Sequence, residues 1–191
     1  MIDIIITVIS IALSYYYTAF MHVFANPAPY KYIVVFIVSF LICWAALFIL
    51  FGIICVIISL PVNINKEYAG TSRFYTTLFG LMLEFAGFVS GARVIVNGRD
   101  KIPRKDRFLF VSNHRSNYDP IIQCGEMKLQ PMAFISKRAN FRIPFIRRYM
   151  VRCRYIPLER KNMRNGAEAV MKAARMISSG QSCIGVYPEG T

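Results

Sequence analysis

The residues whose types and spacing can do chemistry stand in Val111-Ser112-Asn113-His114-Arg115-Ser116-Asn117-Tyr118-Asp119-Pro120. The chain has only two histidines, and His114 is the one with polar partners nearby. On a continuous helix, His114 and Asp119 would not face each other, because five residues is more than one turn. In a loop they can meet. Asp119 would then accept a hydrogen bond from one ring nitrogen, fixing the tautomer and leaving the other nitrogen to take a proton. That is the base-and-orienter half of a catalytic triad. A substrate hydroxyl can be the nucleophile, so no enzyme serine is required.

The flanking elements place this loop. The apolar run Phe108-Leu109-Phe110-Val111 leads into it, so Arg107–Ser112 reads as a strand. Asp119-Pro120 reads as a helix start, with Asp as cap and Pro at the first helical position. Polar residues between a strand's C-terminal end and a helix are where reactive sites sit in α/β folds. The other expected strands are 92–98, closed by a turn at Gly98, then 132–136, 154–158 and 183–187. Helices are expected over 66–90, over 138–152 with a restart at Pro144, and over 165–179 with Gly180 as the stop. Strands alternate with helices, which predicts an α/β fold with a mostly parallel sheet and flanking helices.

Composition adds a second part. The 191 residues are 55% hydrophobic with a net charge of +13, and the mean hydropathy is +0.43. Residues 1–65 hold only Asp3 and Lys31, so all the excess charge lies in 66–191. Residues 4–25 are apolar apart from a stripe of Thr7, Ser10, Ser14, Thr18 and His22 at helical spacing. Asn26-Pro27-Ala28-Pro29 breaks that helix, and 32–60 is a second run without a charge. We therefore expect a membrane-embedded helical hairpin over 1–65, either spanning the bilayer or seated in one leaflet, and a basic α/β domain over 66–191. The basic remainder places that domain on the cytoplasmic side of the cell membrane by the positive-inside tendency. His22 is expected to bond a partner within the membrane rather than to act. The chain stops just after a strand and a Pro-Glu-Gly turn, so the domain is expected to be incomplete at its C-terminus.

The motif's surroundings resemble the glycerolipid acyltransferase family, whose best-known bacterial members are 1-acyl-glycerol-3-phosphate acyltransferases. Asn113-His114-x-x-x-x-Asp119-Pro120 resembles that family's first signature. Tyr187-Pro188-Glu189-Gly190-Thr191 is similar to its Phe-Pro-Glu-Gly-Thr signature. Ile156-Pro157-Leu158-Glu159-Arg160 is similar to the intermediate block, which usually ends in Asp-Arg, and Arg154 stands where glycine is common. Ser136-Lys137 and Ile143-Pro144-Phe145 resemble the stretch between the blocks. The resemblance implies acyl transfer from acyl-CoA or an acyl carrier protein to the sn-2 hydroxyl of lysophosphatidate. It implies no resident cofactor, no metal and no covalent acyl-enzyme. His114 and Asp119 are then catalytic. Asn113, Lys137, Arg160, Glu189, Gly190 and Thr191 are the expected substrate-binding residues, with Arg160 favoured for the phosphate and backbone N–H groups near the Pro-Glu-Gly-Thr turn for the oxyanion. Glycerol 3-phosphate or another lysophospholipid is the alternative acceptor.

The charge also fits a function of another class. Residues 128–164 carry eleven Lys and Arg against Glu159 alone, which suits an anionic phospholipid membrane; Arg147, Arg148 and Arg152 are expected on that surface. A membrane-anchored module binding anionic lipid or nucleic acid would use the same charge. Nucleic acid is not expected, because the aromatics concentrate in the apolar segments and no zinc-finger or helix-turn-helix pattern appears. The five cysteines, Cys43, Cys55, Cys124, Cys153 and Cys183, form no Cys-x-x-Cys pair. They read as free thiols in a reducing compartment rather than a disulfide framework or a zinc site.

Overall fold

A computed structural model describes residues 2–25, 29–159 and 163–189. The chain divides into two compact units, Met1–Ile58 and Ser59–Thr191.

The first unit is built from α1 (Ile2–Ala25) and most of α2 (Pro29–Ser59). Both helices are long and apolar enough to cross a membrane, with mean hydropathies of 1.8 and 3.1 over Ile2–His22 and Tyr30–Ser59. Most of their apolar side chains are exposed. Ile4, Tyr16, Ile33 and Ile42 are each more than 60% open, which is what side chains solvated by hydrocarbon rather than by a core look like. The polar stripe of α1 is its sheltered side: Ser10 and Ser14 are fully buried. Two of the stripe's hydroxyls also bond back to carbonyls of the preceding turn, Ser10 to Ile6 and Thr18 to Ser14, each at 2.7 Å. His22 stacks on Tyr32 of α2 with ring centroids 4.8 Å apart.

The second unit runs α3 (Arg73–Val89), β1 (Leu109–Val111), α4 (Tyr118–Glu126), β2 (Met132–Lys137), α5 (Pro144–Arg152), β3 (Ile156–Leu158), α6 (Met163–Ser178) and β4 (Cys183–Val186). Short 3-10 turns cover Arg99–Lys101 and Arg138–Arg142. The four strands form one parallel sheet in the order β1-β4-β2-β3. Every strand therefore ends at the same edge. Alternation divides the side chains between two faces. Ala133, Ile156 and Ile184 pack under Ala169, Ala173 and Met176, which sit at helical spacing along α6. Met132, Phe134 and Cys183 face the other way, against Cys124 and Met127. A third cluster, Phe79 with Tyr149, Met150 and Cys153, joins α3 to α5.

Two expected elements differ. Residues 92–98 form no strand: Val94, Ile95 and Val96 are 42%, 84% and 38% exposed. Their β-branched side chains favour extended backbone, but a strand also needs a ladder partner, and none pairs with them among the described residues. Gly98 does make the turn, at φ +74°. The helix expected from residue 66 starts at Arg73 instead.

The irregular stretch before α3 explains the basic segment. Arg148 Nη1 donates to the carbonyls of Leu60 (2.8 Å) and Val62 (3.0 Å). Arg152 Nη1 donates to Gly70 O at 3.1 Å, and its guanidinium lies over the Tyr68 ring at 4.7 Å. Arg154 Nη1 donates to Ala69 O at 3.0 Å. Carbonyls outside helix and sheet need donors, and Arg supplies several in one plane. Arg148 and Arg152 thus hold this stretch, correcting the expectation that they form a lipid-facing surface. Arg154 has φ +60°. Only glycine adopts that conformation without cost.

Helices α3 and α4 cross through glycines. A Cβ on Gly80 would lie 2.9 Å from Cys124 O and overlap the Lys128 side chain. One on Gly125 would lie 3.1 Å from Glu84 Cα. Lys128 closes the crossing, its Nζ 3.0 Å from both Glu84 Oε1 and Gly125 O. Gly80→Ala is expected to lower stability by about 1–3 kcal/mol through overpacking, although alanine is the better helix former. Gly166→Ala, in α6 with nothing within 4 Å, is expected to raise it by up to about 1 kcal/mol. Thermal unfolding of the two variants checks the pair; equal effects of one sign would contradict the crossing.

Candidate active site

The loop after β1 folds around one carboxylate oxygen. Asp119 Oδ2 accepts the Arg115 N–H at 2.7 Å and the Ser116 N–H at 2.8 Å, and lies 3.3 Å from His114 Nδ1. The helix starts at Tyr118, one residue before Asp119, with Asn117 at the cap position making no side-chain cap bond. The capping role expected of Asp119 is thus corrected: its side chain turns back into the loop, and Ser116 Oγ accepts the Tyr118 N–H at 3.2 Å instead. Pro120 falls in the first turn rather than at its first position. The loop has two exposed backbone donors to satisfy, and a carboxylate satisfies both more strongly than a hydroxyl would.

Burial pushes the Asp119 carboxyl up, but the Ser116 and Arg115 N–H groups and His114 outweigh it and hold it below the ordinary 3.8. Asp119 is therefore ionised at neutral pH and binds the Nδ1–H tautomer of His114. Nε2, across the ring, is then the basic nitrogen. The two side chains are 17% and 26% exposed, so the pair is sheltered yet reachable.

Tyr187, the residue after β4, closes the other side of His114. The ring centroids are 4.6 Å apart and the planes 31° apart. Tyr187 Oη donates to Gln123 Oε1 at 2.6 Å, and Gln123 Nε2 donates to Ser112 Oγ at 2.8 Å. Beneath lies Phe134, 6.2 Å from Tyr187 with near-parallel rings. Its ring occupies the space where any side chain on Gly185 would stand. Sequence reasoning missed Gln123 and Ser112. Gln123 lies four residues beyond Asp119, about one turn further along α4, but nothing in the sequence pairs it with Tyr187.

The remaining candidates are placed as follows. Asn113 is exposed beside His114. Lys137 is exposed at the end of β2, two strand positions from β1 and so about 10 Å away across the sheet edge. Glu189 is exposed in the turn after β4. Arg160, Gly190 and Thr191 lie outside the described residues. Glu159, just after β3, pairs with Arg138 at 3.3 Å. Cys124 lies under this edge with its thiol fully buried and pushed up to about 12 by that burial, an effect its bond to Tyr155 only partly offsets. A thiol so protonated is a poor nucleophile.

A model of the Acyltransferase family matches residues 93–191, about half of the chain. The chain is 32% identical over 104 residues to the 1-acyl-sn-glycerol-3-phosphate acyltransferase of Borreliella burgdorferi, covering 54% of this chain and 41% of that protein. It is 25% identical over 130 residues to the protein of the same name from Streptococcus pneumoniae, covering 68% and 48%. The chain thus spans about half the length of these relatives. The crystal structure of the 1-acyl-sn-glycerophosphate (LPA) acyltransferase from Thermotoga maritima shares the fold, with a TM-score of 0.55 and 21% identity over 99% of this chain and 63% of that one. Apolar N-terminal helices, a parallel sheet and a matched stretch running from before β1 past β4 agree on one assignment: the chain belongs to the acyltransferase family.

Proposed function

We propose that this chain carries the active site of a membrane-bound O-acyltransferase. It moves a fatty acyl group from a thioester, on acyl-CoA or an acyl carrier protein, to the sn-2 hydroxyl of 1-acylglycerol 3-phosphate, giving phosphatidic acid. The observation that carries the reading is the His114–Asp119 bond at the C-terminal end of β1, inside the stretch matched by the family. The relatives, both 1-acyl-sn-glycerol-3-phosphate acyltransferases, support this acceptor.

The chemistry follows from the pair. His114 Nε2 takes the proton of the acceptor hydroxyl as its oxygen attacks the thioester carbonyl. Asp119 stabilises the imidazolium by the charge of a carboxylate already fixed by two N–H groups. Collapse of the tetrahedral intermediate breaks the carbon–sulfur bond, and the departing thiolate takes the proton back from His114. The ester and the free thiol leave, and the enzyme returns to its starting state. Backbone N–H groups near Tyr187–Thr191 and the side chain of Asn113 are the proposed partners of the oxyanion and acceptor. Arg160 and Lys137 are the proposed phosphate holders; Lys137 ends β2 at the same edge as β1. The long apolar helices suit a chain whose acceptor resides in a bilayer, with the basic domain on the cytoplasmic side.

A thioester-consumption assay tests this reading. The protein should sediment with membranes after an alkaline wash. It should release thiol with lysophosphatidate and far less with glycerol 3-phosphate or lysophosphatidylcholine. His114→Ala should lose activity by at least about a thousandfold, and Arg160→Ala should raise KM for the acceptor more than it lowers kcat. Wild-type-like activity in His114→Ala would refute the base; preference for a choline head group would refute the acceptor.

Asp119 gives a pH test with a definite sign. Its carboxyl is depressed in the folded chain. Its stabilisation is present above the ordinary 3.8 and is lost as pH falls through the lower folded value. Asp119→Asn should therefore cost about 1 kcal/mol at pH 7, and the gap to wild type should narrow near pH 3. Chemical unfolding at the two pH values measures it; a gap that widens in acid would contradict the assignment.

A further inference from the structure

The Tyr187 side chain has a part that the base-and-orienter scheme leaves unused. Its ring packs on the His114 ring, with centroids 4.6 Å apart and planes 31° apart, while Asp119 meets the imidazole at Nδ1. The phenol is not held by packing alone. Oη is tied to Gln123 of α4, and Gln123 is tied to Ser112 at the end of β1. The Ser112 N–H donates to Val186 O at 3.3 Å, immediately before Tyr187. These bonds close a loop through β1, α4 and β4, the elements that flank His114. Burial above all, with the Asp119 charge nearby, keeps the phenol well above its ordinary range, so it stays a donor. Where the resembling signature has Phe, this chain has Tyr. The hydroxyl, and therefore the tether, is a feature of this chain.

We propose that Tyr187 and Gln123 are positioning residues for the base: the Tyr187–Gln123–Ser112 tether fixes the Tyr187 ring against His114, so that the imidazole is held at its face as well as at its edge. The proposal rests on the reading of His114 as general base. Asp119 sets the tautomer and one in-plane direction through the Nδ1 bond. The Tyr187 ring adds a contact against the imidazole ring itself. When His114 takes the acceptor proton, the π face is also turned toward the new positive charge. Displacement of a base by about 1 Å costs roughly a hundredfold in rate, which sets the scale of the effect.

The test separates tether from ring in the purified protein. Tyr187→Phe keeps the ring and loses the bond; kcat should fall roughly three- to tenfold. Gln123→Leu cuts the same bond from the other end and should fall equally. The double variant should be no worse than either single one, because both remove one interaction. Tyr187→Leu removes ring and bond, and kcat should fall roughly a hundredfold. KM for acceptor and donor should stay within about twofold throughout. Thermal unfolding checks that the variants fold, and the Phe and Leu pair at 187 and 123 decides the matter even if Tyr187→Leu does not. Additive losses in the double variant, an unchanged kcat, or a loss carried in KM would each overturn the proposal. His114→Ala is measured alongside. If it is inactive while the Tyr187 and Gln123 variants behave as wild type, the positioning role alone fails. If it is active, the base reading fails with it.

Discussion

One carboxylate oxygen organises this domain's working edge. Asp119 Oδ2 gathers two backbone N–H groups and the imidazole of His114, and without it the loop between β1 and α4 has no internal partner for either donor. The same bonds that fold the loop keep the carboxylate ionised, and an ionised carboxylate is what makes Nε2 the basic nitrogen. Local folding and the proposed proton transfer thus rest on one interaction. It is also why Asp119 does not cap its helix: a side chain engaged backward cannot also bond forward.

The rest of the second unit holds that loop still. A parallel sheet in the order β1-β4-β2-β3 brings four C-terminal ends to one edge, so residues far apart in sequence meet there without long loops. β4, last in the chain, is inserted beside β1, which puts Tyr187 against His114. Two close approaches make room for this. Gly185 admits the Phe134 ring under Tyr187, and the glycines of α3 and α4 let those helices cross at backbone distance. Neither position can carry a larger side chain without moving an element that supports the site.

Much of this was legible in advance, for identifiable reasons. The His114–Asp119 pair and the order of strands and helices follow from local pattern: a strand ending in polar residues, a helix with Ala169, Ala173 and Met176 on one face, a glycine stop at Gly180. What sequence could not show depended on partners. Val94-Ile95-Val96 reads as a strand, but a ladder is a property of two segments. Arg148 and Arg152 read as a cationic surface, yet they serve carbonyls some eighty residues away. Gln123 reads as an ordinary helix polar residue until β4 places Tyr187 beside it. Local periodicity is written in neighbouring residues, whereas hydrogen bonds between distant segments are written only in the fold.

In the proposed reaction the base acts directly on the acceptor hydroxyl, with no enzyme nucleophile between donor and acceptor. The buried, protonated Cys124 points that way. Intact-protein mass spectrometry after incubation with the acyl thioester alone tests it most directly. An unchanged protein mass, with thiol released only when the acceptor is added, is the expected result. A mass increase of one acyl group, discharged by adding acceptor, would contradict it.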